Sequence, residues 1–331
     1  MGSLTGMTSV GVCFPREFPA AWVTTAARSV EAMGADDLWI IEDCFYTGGV
    51  SLAAAALAST DRIRVGLGIL PAVARNPAIT AMELATLAGL APGRVIGGIG
   101  HGVQSWMDQI GERTPSPLAT LREVLDAVRA LLRGEQVTVE GRRVRLRDVR
   151  LEVPPSPVPP VLAGVMGPKS LALAGRHADG LVLAEYPGPD YVRWAREQAA
   201  ASGPFEVAAF AVAHLDTDRQ RARERMAPDV LRAVTGGLVP VRALPFYDDL
   251  AAGIAARGLD AVLAAPDDWW THLGAIGTPD DAAAHLHALA DAGVDRVALF
   301  FPPDQAGWQG QLDLLRDELL PRLTGLTGLS R

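Results

Sequence analysis

Three polar side chains with catalytic potential follow short apolar runs of the kind that form buried strands. Glu42 and Asp43 come directly after one such run, and His101 follows a later run within the glycine-rich stretch 97–102. Carboxylates and a neutral imidazole can exchange protons with a substrate or hydrogen-bond the edge of a flat ring. Asp43 could instead cap a turn or pair with Arg75, and the glycines could serve tight packing rather than a ligand.

A second group of residues has the features of a phosphate site. A glycine-containing turn leads into a predicted helix, whose free amide groups attract an anion, and Lys169 adds a positive charge. A plain surface turn is the alternative. The glycine-rich stretch 97–102 is not a dinucleotide fingerprint, because Val103 stands where the third glycine is required. The residues that we predict to hold the phosphate are Gly164, Val165, Met166, Gly167, Pro168 and Lys169.

Eight short apolar segments alternate with longer helical ones, an order typical of parallel strands joined by crossover helices. We therefore predict a (β/α)₈ TIM barrel of the α/β class, in which residues after the strands share the catalytic face. A β-hairpin at 135–152 is predicted before strand five, and a helical insertion at 235–277 before strand eight. One domain over 8–331 is expected, with 1–7 outside it as a disordered or cloning-derived segment. The predicted strands are 10–14, 37–41, 63–69, 94–99, 161–165, 180–184, 206–214 and 296–300.

Composition excludes several classes of function. The net charge of −8 disfavours nucleic acid as a partner, because binding to its phosphates depends on clustered Lys and Arg. No apolar run is long enough to cross a bilayer, so no membrane partner is expected. Cys13 and Cys44 are too few for a disulfide framework or a metal site, and we expect a cytoplasmic protein without a metal.

Five segments together resemble the superfamily of luciferase-like monooxygenases and coenzyme F420-dependent reductases. The similarity covers about residues 8 to 325. The predicted hairpin before strand five and the predicted insertion before strand eight also resemble the methylenetetrahydromethanopterin reductase-like branch of this superfamily. The segments are LWIIED at 38–43, DRIRVGLGI at 61–69, RNPA at 75–78, PGRVIGGIG at 92–100 and ADG at 178–180.

The resemblance implies roles for individual residues. A cis peptide bond between Gly68 and Ile69 would bulge against the cofactor ring, and Asp43 would lie near the pyrimidine end of that ring. Gly100 and His101 would contact the cofactor, while the loop that ends at Lys169 would bind its phosphate.

Two positions depart from the pattern of relatives. Val103 replaces a glutamate that the sugar-phosphate and alcohol dehydrogenases carry, and Cys44 replaces a common histidine. A sugar-phosphate substrate is therefore disfavoured. Cys44, Phe45, Val103 and Glu185 are predicted to line the substrate pocket.

The resemblance leaves three functions open. The first is a reductase in which coenzyme F420 delivers hydride to an unsaturated small molecule, with a proton supplied by His101, Asp43 or Glu42. The second is an FMN-dependent monooxygenase that uses O₂. The third is a non-catalytic flavin-binding protein. Relatives dimerise through barrel helices, so the resemblance also implies a homodimer.

Overall fold

The computed structural model describes residues 9–323, so the predicted disordered segment 1–7 lies outside the described residues. Each of eight parallel strands is followed along the chain by helical structure, and the strand order confirms the predicted (β/α)₈ barrel. The strands are β1 (Ser9–Phe14), β2 (Asp37–Ile40), β3 (Arg64–Pro71), β4 (Val95–Gly100), β5 (Val137–Glu140), β6 (Arg145–Val149), β7 (Val161–Gly164), β8 (Gly180–Leu183), β9 (Glu206–Leu215), β10 (Ala275–Gly277) and β11 (Arg296–Phe300).

Among the helical segments that the sequence predicts, those at 77–90 and 117–132 match the observed helices to the residue. None of the helices among residues 9–323 has both the length and the apolar character needed to span a membrane. The α-helices are α1 (Val23–Ala32), α2 (Gly49–Ala58), α3 (Pro77–Leu90), α4 (Gln104–Gln109), α5 (Pro117–Leu132), α6 (Pro168–His177), α7 (Pro189–Ala199), α8 (Arg219–Gly236), α9 (Val239–Arg242), α10 (Tyr247–Arg257), α11 (Leu259–Leu263), α12 (Asp267–Leu273), α13 (Pro279–Asp291) and α14 (Trp308–Leu314).

The chain separates into two compact units, which are described one at a time. The N-terminal unit comprises Cys13–Val182 and Gln198–Glu206; the C-terminal unit contains 9–12, 183–197 and 207–323 of the described residues. A single domain over 8–331 stays a prediction.

In the N-terminal unit, β2, β3, β4, β7 and β8 pair in parallel in that order. The predicted hairpin is confirmed as the antiparallel pair β5–β6. Glu123 of α5 holds its turn, because this carboxylate accepts hydrogen bonds from the backbone N–H groups of Arg142 (2.9 Å), Arg143 (3.1 Å) and Val144 (3.1 Å). Burial raises the pKa of the Glu123 carboxyl, but the three amides outweigh it and leave that pKa below its ordinary value.

In the C-terminal unit, β11 lies between β1 and β9 in a parallel sheet. The predicted insertion is confirmed as helical, since α9 to α12 lie within 235–277. These helices share a hydrophobic core with α8, in which Trp270 is buried and Trp269 stacks on Phe246 at 4.4 Å between ring centroids. The two tryptophans therefore anchor the insertion. The short strand β10, which pairs with β9, was not predicted, because three residues are too few to show the alternation of apolar and polar side chains that indicates a strand.

His285 lies in a predicted helix without an acidic partner at ligand spacing, and the sequence therefore predicts a solvated side chain. That prediction is wrong, because the residue is only 1% exposed. It follows Ala282 by three positions and precedes Leu289 by four, so it lies on the buried stripe of α13. Its Nδ1 lies 2.7 Å from the carbonyl oxygen of Thr271 and must donate to it, while Nε2 has no partner among residues 9–323. Burial lowers the pKa of His285 to about 4, so the ring is neutral at pH 7.

We expect His285 to make the protein less stable in mild acid. Its pKa is about 4 when folded and about 6.5 when unfolded. The unfolded state therefore binds more protons below pH 6.5, and the neutral ring's contribution is lost as the pH falls. In the wild type, the free energy of unfolding should fall between pH 7.5 and pH 5, and His285→Gln should make this fall about 2 kcal/mol smaller. Urea unfolding at the two pH values measures it. The matched control is His287→Gln on the exposed face of α13, and an equal pH dependence in all three proteins would contradict the assignment.

Candidate functional site

Glu42, directly after β2, is held on both carboxylate oxygens. Arg75 contacts both oxygens, with Nη2 2.9 Å from Oε2, and the backbone N–H of Gly49 at the start of α2 donates to Oε2 at 2.9 Å. Arg75 also reaches Oε2 of Glu83 through its Nε at 3.2 Å. These contacts favour a positioning role, in which Glu42 ties the loop after β2 to α2 and to the loop before α3. This geometry does not favour a role of Glu42 in proton transfer, and that role stays a prediction.

Asp43 forms its ion pair with Arg16, not with Arg75. The Arg16 guanidinium lies over the Tyr46 ring, 4.7 Å from its centroid, and its Nε donates to Glu17 at 3.0 Å. About a quarter of the Asp43 side chain remains exposed. A carboxylate that keeps this exposure beside a cation can still accept a hydrogen bond from a bound ligand.

The peptide bond between Gly68 and Ile69 is cis, as the resemblance implied. It lies in a bulge, because the pairing of β3 with β4 changes register between Leu67 and Leu70. A second non-proline cis bond, Cys44–Phe45, follows β2 and was not predicted.

The glycines beside this bulge are required by close packing of the protein itself. A Cβ on Gly164 would collide with the Ile69 side chain, and one on Gly100 would lie 2.5 Å from the Gly164 carbonyl oxygen. A Cβ on Gly98 would collide with the carbonyl oxygen of Leu67. These contacts favour the packing alternative for the glycine-rich stretch. The cofactor-binding roles of Gly100 and Gly164 stay predictions.

The turn after β7 leads into α6, whose start no side chain of the described residues caps. Pro168 is the first helical residue and has no N–H, so the amides of Lys169 and Ser170 are available to an anion. No heavy atom lies within 4 Å of a Cβ built on Gly167, so the space at this turn is open. Lys169 is exposed and, within 9–323, forms no ion pair. The predicted phosphate loop thus has the geometry that an oxyanion needs.

His101 joins the end of β4 to this loop. Its Nε2 lies 2.9 Å from Oγ of Ser170. Burial lowers the pKa of His101, so the imidazole is neutral at pH 7 and offers a hydrogen bond without a charge. His101 and the phosphate loop, predicted separately, therefore lie in one site.

The candidate substrate residues differ in their positions. Phe45 is 65% exposed and Val103 is 46% exposed, both high values for apolar side chains that follow barrel strands. Cys44 is half-buried; burial, together with the charges of Glu42 and Asp43, raises the pKa of its thiol and keeps it protonated. Glu185 belongs to the C-terminal unit, where its φ is 55°, and its role stays a prediction.

Sequence reasoning missed two contributors to the site. Arg16 follows β1 by two residues, so its position after a strand could have identified it. Only carboxylates and a histidine after strands were predicted to take part in the site. Ser170 directly follows the predicted phosphate loop and had no assigned role. Its signal is positional, because a hydroxyl in the first turn of a helix commonly faces a bound anion.

Comparisons with known proteins agree with the fold. The model of the luciferase-like monooxygenase family matches residues 6–296. The chain is similar to the 5,10-methylenetetrahydromethanopterin reductase of Methanolobus tindarius, with 28% identity over 306 residues, 88% of this chain and 94% of that protein.

Two solved structures have the same fold. The coenzyme F420-dependent tetrahydromethanopterin reductase of Methanopyrus kandleri has a TM-score of 0.79 and 23% identity, covering 96% of this chain and 99% of that one. The oxygenating constituent of 3,6-diketocamphane monooxygenase of Pseudomonas putida, in complex with FMN, has a TM-score of 0.70 and 20% identity, covering 95% and 98%.

Arg75→Gln should destabilise the protein by about 2 kcal/mol, because it leaves a mostly buried carboxylate on Glu42 without its cation. Urea unfolding at pH 7 measures this loss. Arg133→Gln is the matched control: its ion pair with Glu135 is exposed to solvent, so its loss should leave the free energy of unfolding nearly unchanged. Equal losses in the two variants would show that Glu42 and Arg75 do not hold the loop after β2.

Proposed function

The chain belongs to the luciferase-like monooxygenase family, and on that premise we propose that it is a coenzyme F420-dependent oxidoreductase. Reduced deazaflavin, when bound, supplies a hydride, which this enzyme directs to an unsaturated small molecule. Similarity to a methylenetetrahydromethanopterin reductase over nearly the whole chain supports the choice of cofactor. The observation that carries the placement of the cofactor is the uncapped start of α6 beside His101.

The residues of the loop after β7 fit the phosphate of such a cofactor. The amides of Lys169 and Ser170 have no intrahelical acceptors, and the exposed ammonium of Lys169 adds charge beside them. His101 orients the Ser170 hydroxyl from the other side. Hydrogen bonds from these groups to a phosphate are charge-assisted and therefore among the stronger ones.

The ring of the cofactor is proposed to lie against the cis bond between Gly68 and Ile69. Asp43, whose charge is balanced by Arg16, accepts a hydrogen bond from the ring edge. The neutral His101 ring can hold a proton at a nitrogen near the site without adding positive charge. Exposed Phe45 and Val103 offer apolar surface that excludes water from a bound substrate.

An FMN-dependent monooxygenase is the alternative, favoured by the family itself and by the FMN complex of similar fold. A phosphate loop serves FMN equally well, so this loop does not separate the two cofactors. A non-catalytic flavin-binding protein is the third possibility, consistent with Val103 and Cys44 at positions where relatives carry ionisable groups.

We also propose a homodimer, as the resemblance implied, and a cytoplasmic location, which the two free cysteines favour. Support comes from α3, where Ile79, Met82 and Leu90 are exposed large apolar residues on one helical face. Covering such a face with a second copy would bury apolar area that a monomer leaves in water. Analytical ultracentrifugation should give twice the mass of one chain, and a single-chain mass at micromolar protein would contradict the dimer.

Titration of the purified protein with coenzyme F420 and, separately, with FMN tests the proposed function. Binding of F420 in the micromolar range or tighter, with FMN at least tenfold weaker, is the expected result. Tight binding of FMN alone would favour the monooxygenase and overturn the proposal. Binding of both, with no hydride transfer to any unsaturated acceptor, would support the non-catalytic alternative.

Lys169→Met should weaken binding of F420 about tenfold, because it removes one charge-assisted contact to the phosphate. The deazaflavin riboside, which ends before the phosphate, provides the internal control and should bind wild type and variant equally. Fluorescence titration measures both affinities. If the variant loses equal affinity for both ligands, Lys169 does not contact the phosphate.

A further inference from the structure

The segments after β2 and β4 in the N-terminal unit expose a group of large apolar side chains. Phe45 and Val103 are joined there by Tyr46, which is 48% exposed, and by Ile110, which is 39% exposed. Single exposed apolar residues are common on protein surfaces, but a group of them beside a candidate site indicates a binding surface. These four side chains are called the apolar rim below.

The rim residues that flank α4 belong to an apolar helical face. Val103, Met107 and Ile110 are spaced four and three residues apart, which places them on one side of the helix. Met107 is buried, and a Cβ built on Gly102 would lie 3.0 Å from both its Sδ and the Cβ of Pro71 at the end of β3. This face is therefore anchored at the end of β3, while Val103 and Ile110 stay open to an apolar ligand.

The segment after β2 approaches the same strand end. A Cβ built on Gly49 would lie 3.0 Å from the Cβ of Glu42 and 3.5 Å from the side chain of Leu67 in β3. β2 and β4 both pair with β3. Neighbouring strands lie about 4.8 Å apart, so the two halves of the rim begin about 10 Å apart. A gap of this size accommodates a small, flat molecule.

The charges around the rim are paired within the protein. The segments that follow β1 to β4 contain five carboxylates and three arginines. These segments are 15–22, 41–48, 72–76 and 101–116. Each of the three arginines contacts a carboxylate: Arg16 with Asp43, Arg75 with Glu42 and Arg113 with Asp108. These described segments thus present no unpaired arginine to a substrate carboxylate or phosphate, and their excess of carboxylates repels an anion.

We propose that the substrate is a neutral, mainly apolar molecule, such as an aromatic α,β-unsaturated ester or ketone, which binds against the apolar rim. This inference rests on the proposed function and names the class of its unsaturated acceptor. Covering the rim with such a molecule removes apolar area from water.

Cys44, next to Phe45, is suited to the carbonyl oxygen of such a substrate. Burial, and then the charges of Glu42 and Asp43, raise the pKa of the Cys44 thiol, so it keeps its proton. A protonated thiol can donate a weak hydrogen bond to a carbonyl oxygen without adding a charge. The polar contact that the rim offers is therefore neutral, like its apolar surface.

Methyl cinnamate and cinnamate test the inference, because they share one flat, unsaturated body and differ by a negative charge. Titration calorimetry at pH 7.5 would measure both affinities, with the protein free and loaded with coenzyme F420. The ester should bind at least tenfold tighter, because the anion would lose water against apolar side chains and meet no unpaired arginine. Cinnamate that binds as tightly as the ester, or more tightly, would overturn the inference.

Two variants of the rim give opposite results. F45S/V103S should weaken binding of the ester about tenfold, because it removes apolar contact area. Val103→Arg should remove the preference for the ester, since it places an unpaired cation at the rim. The matched controls are V153S/V158S and Val153→Arg, which change exposed valines of the same unit outside the rim. Both controls should keep the wild-type affinities, and circular dichroism should show that all four proteins are folded.

The outcomes separate this inference from the proposed function. A preference for the ester that Val103→Arg leaves unchanged overturns the inference alone. If wild type prefers the ester but does not bind coenzyme F420, the cofactor assignment fails while the class of ligand at the rim holds. If neither cinnamate compound binds and Val103→Arg reduces the mass in ultracentrifugation to one chain, a second copy covers the rim and the inference is overturned.

Discussion

The close packing of Ile69 against Gly100 and Gly164 is the constraint on which the candidate site depends. A side chain at either glycine would occupy the space of Ile69 or of neighbouring backbone, so three adjacent strands can approach only because these positions lack a Cβ. The bulge between β3 and β4 lies at the same point. Because the strands are parallel, their carboxyl ends open at one edge, where the loops after β2, β4 and β7 contribute polar groups.

Charge is distributed unevenly around this edge. The two carboxylates after β2 are both paired, Glu42 with Arg75 and Asp43 with Arg16, so the loop is fixed while its net charge is balanced. At the start of α6, Lys169 forms no ion pair with any other residue of 9–323. The paired carboxylates after β2 suit a polar but uncharged ring, whereas the unpaired positive charge at the start of α6 suits a phosphate. The imidazole of His101, which contacts Ser170, is neutral and adds no charge to either environment.

Much of this arrangement could be predicted from sequence because it depends on local patterns. Strand and helix positions follow from apolar periodicity, and the start of α6 follows from Gly167 and Pro168. The cis bond at Gly68–Ile69 was accessible only through the resemblance. Contacts between distant segments were not predictable: the pairing of Asp43 with Arg16 depends on the shape of two loops. The burial of His285 was missed because the sequence does not show whether a polar side chain beside an apolar helical face lies within the buried face or at its solvent-exposed edge.

Determining the structure of the protein with bound coenzyme F420 would test the central claim most directly. We predict that the deazaflavin ring lies against the Gly68–Ile69 bond and that its phosphate accepts hydrogen bonds from the amides of Lys169 and Ser170. Asp43 should lie within hydrogen-bond distance of the ring edge. A phosphate bound away from the start of α6, or a ring out of contact with Ile69, would contradict the account.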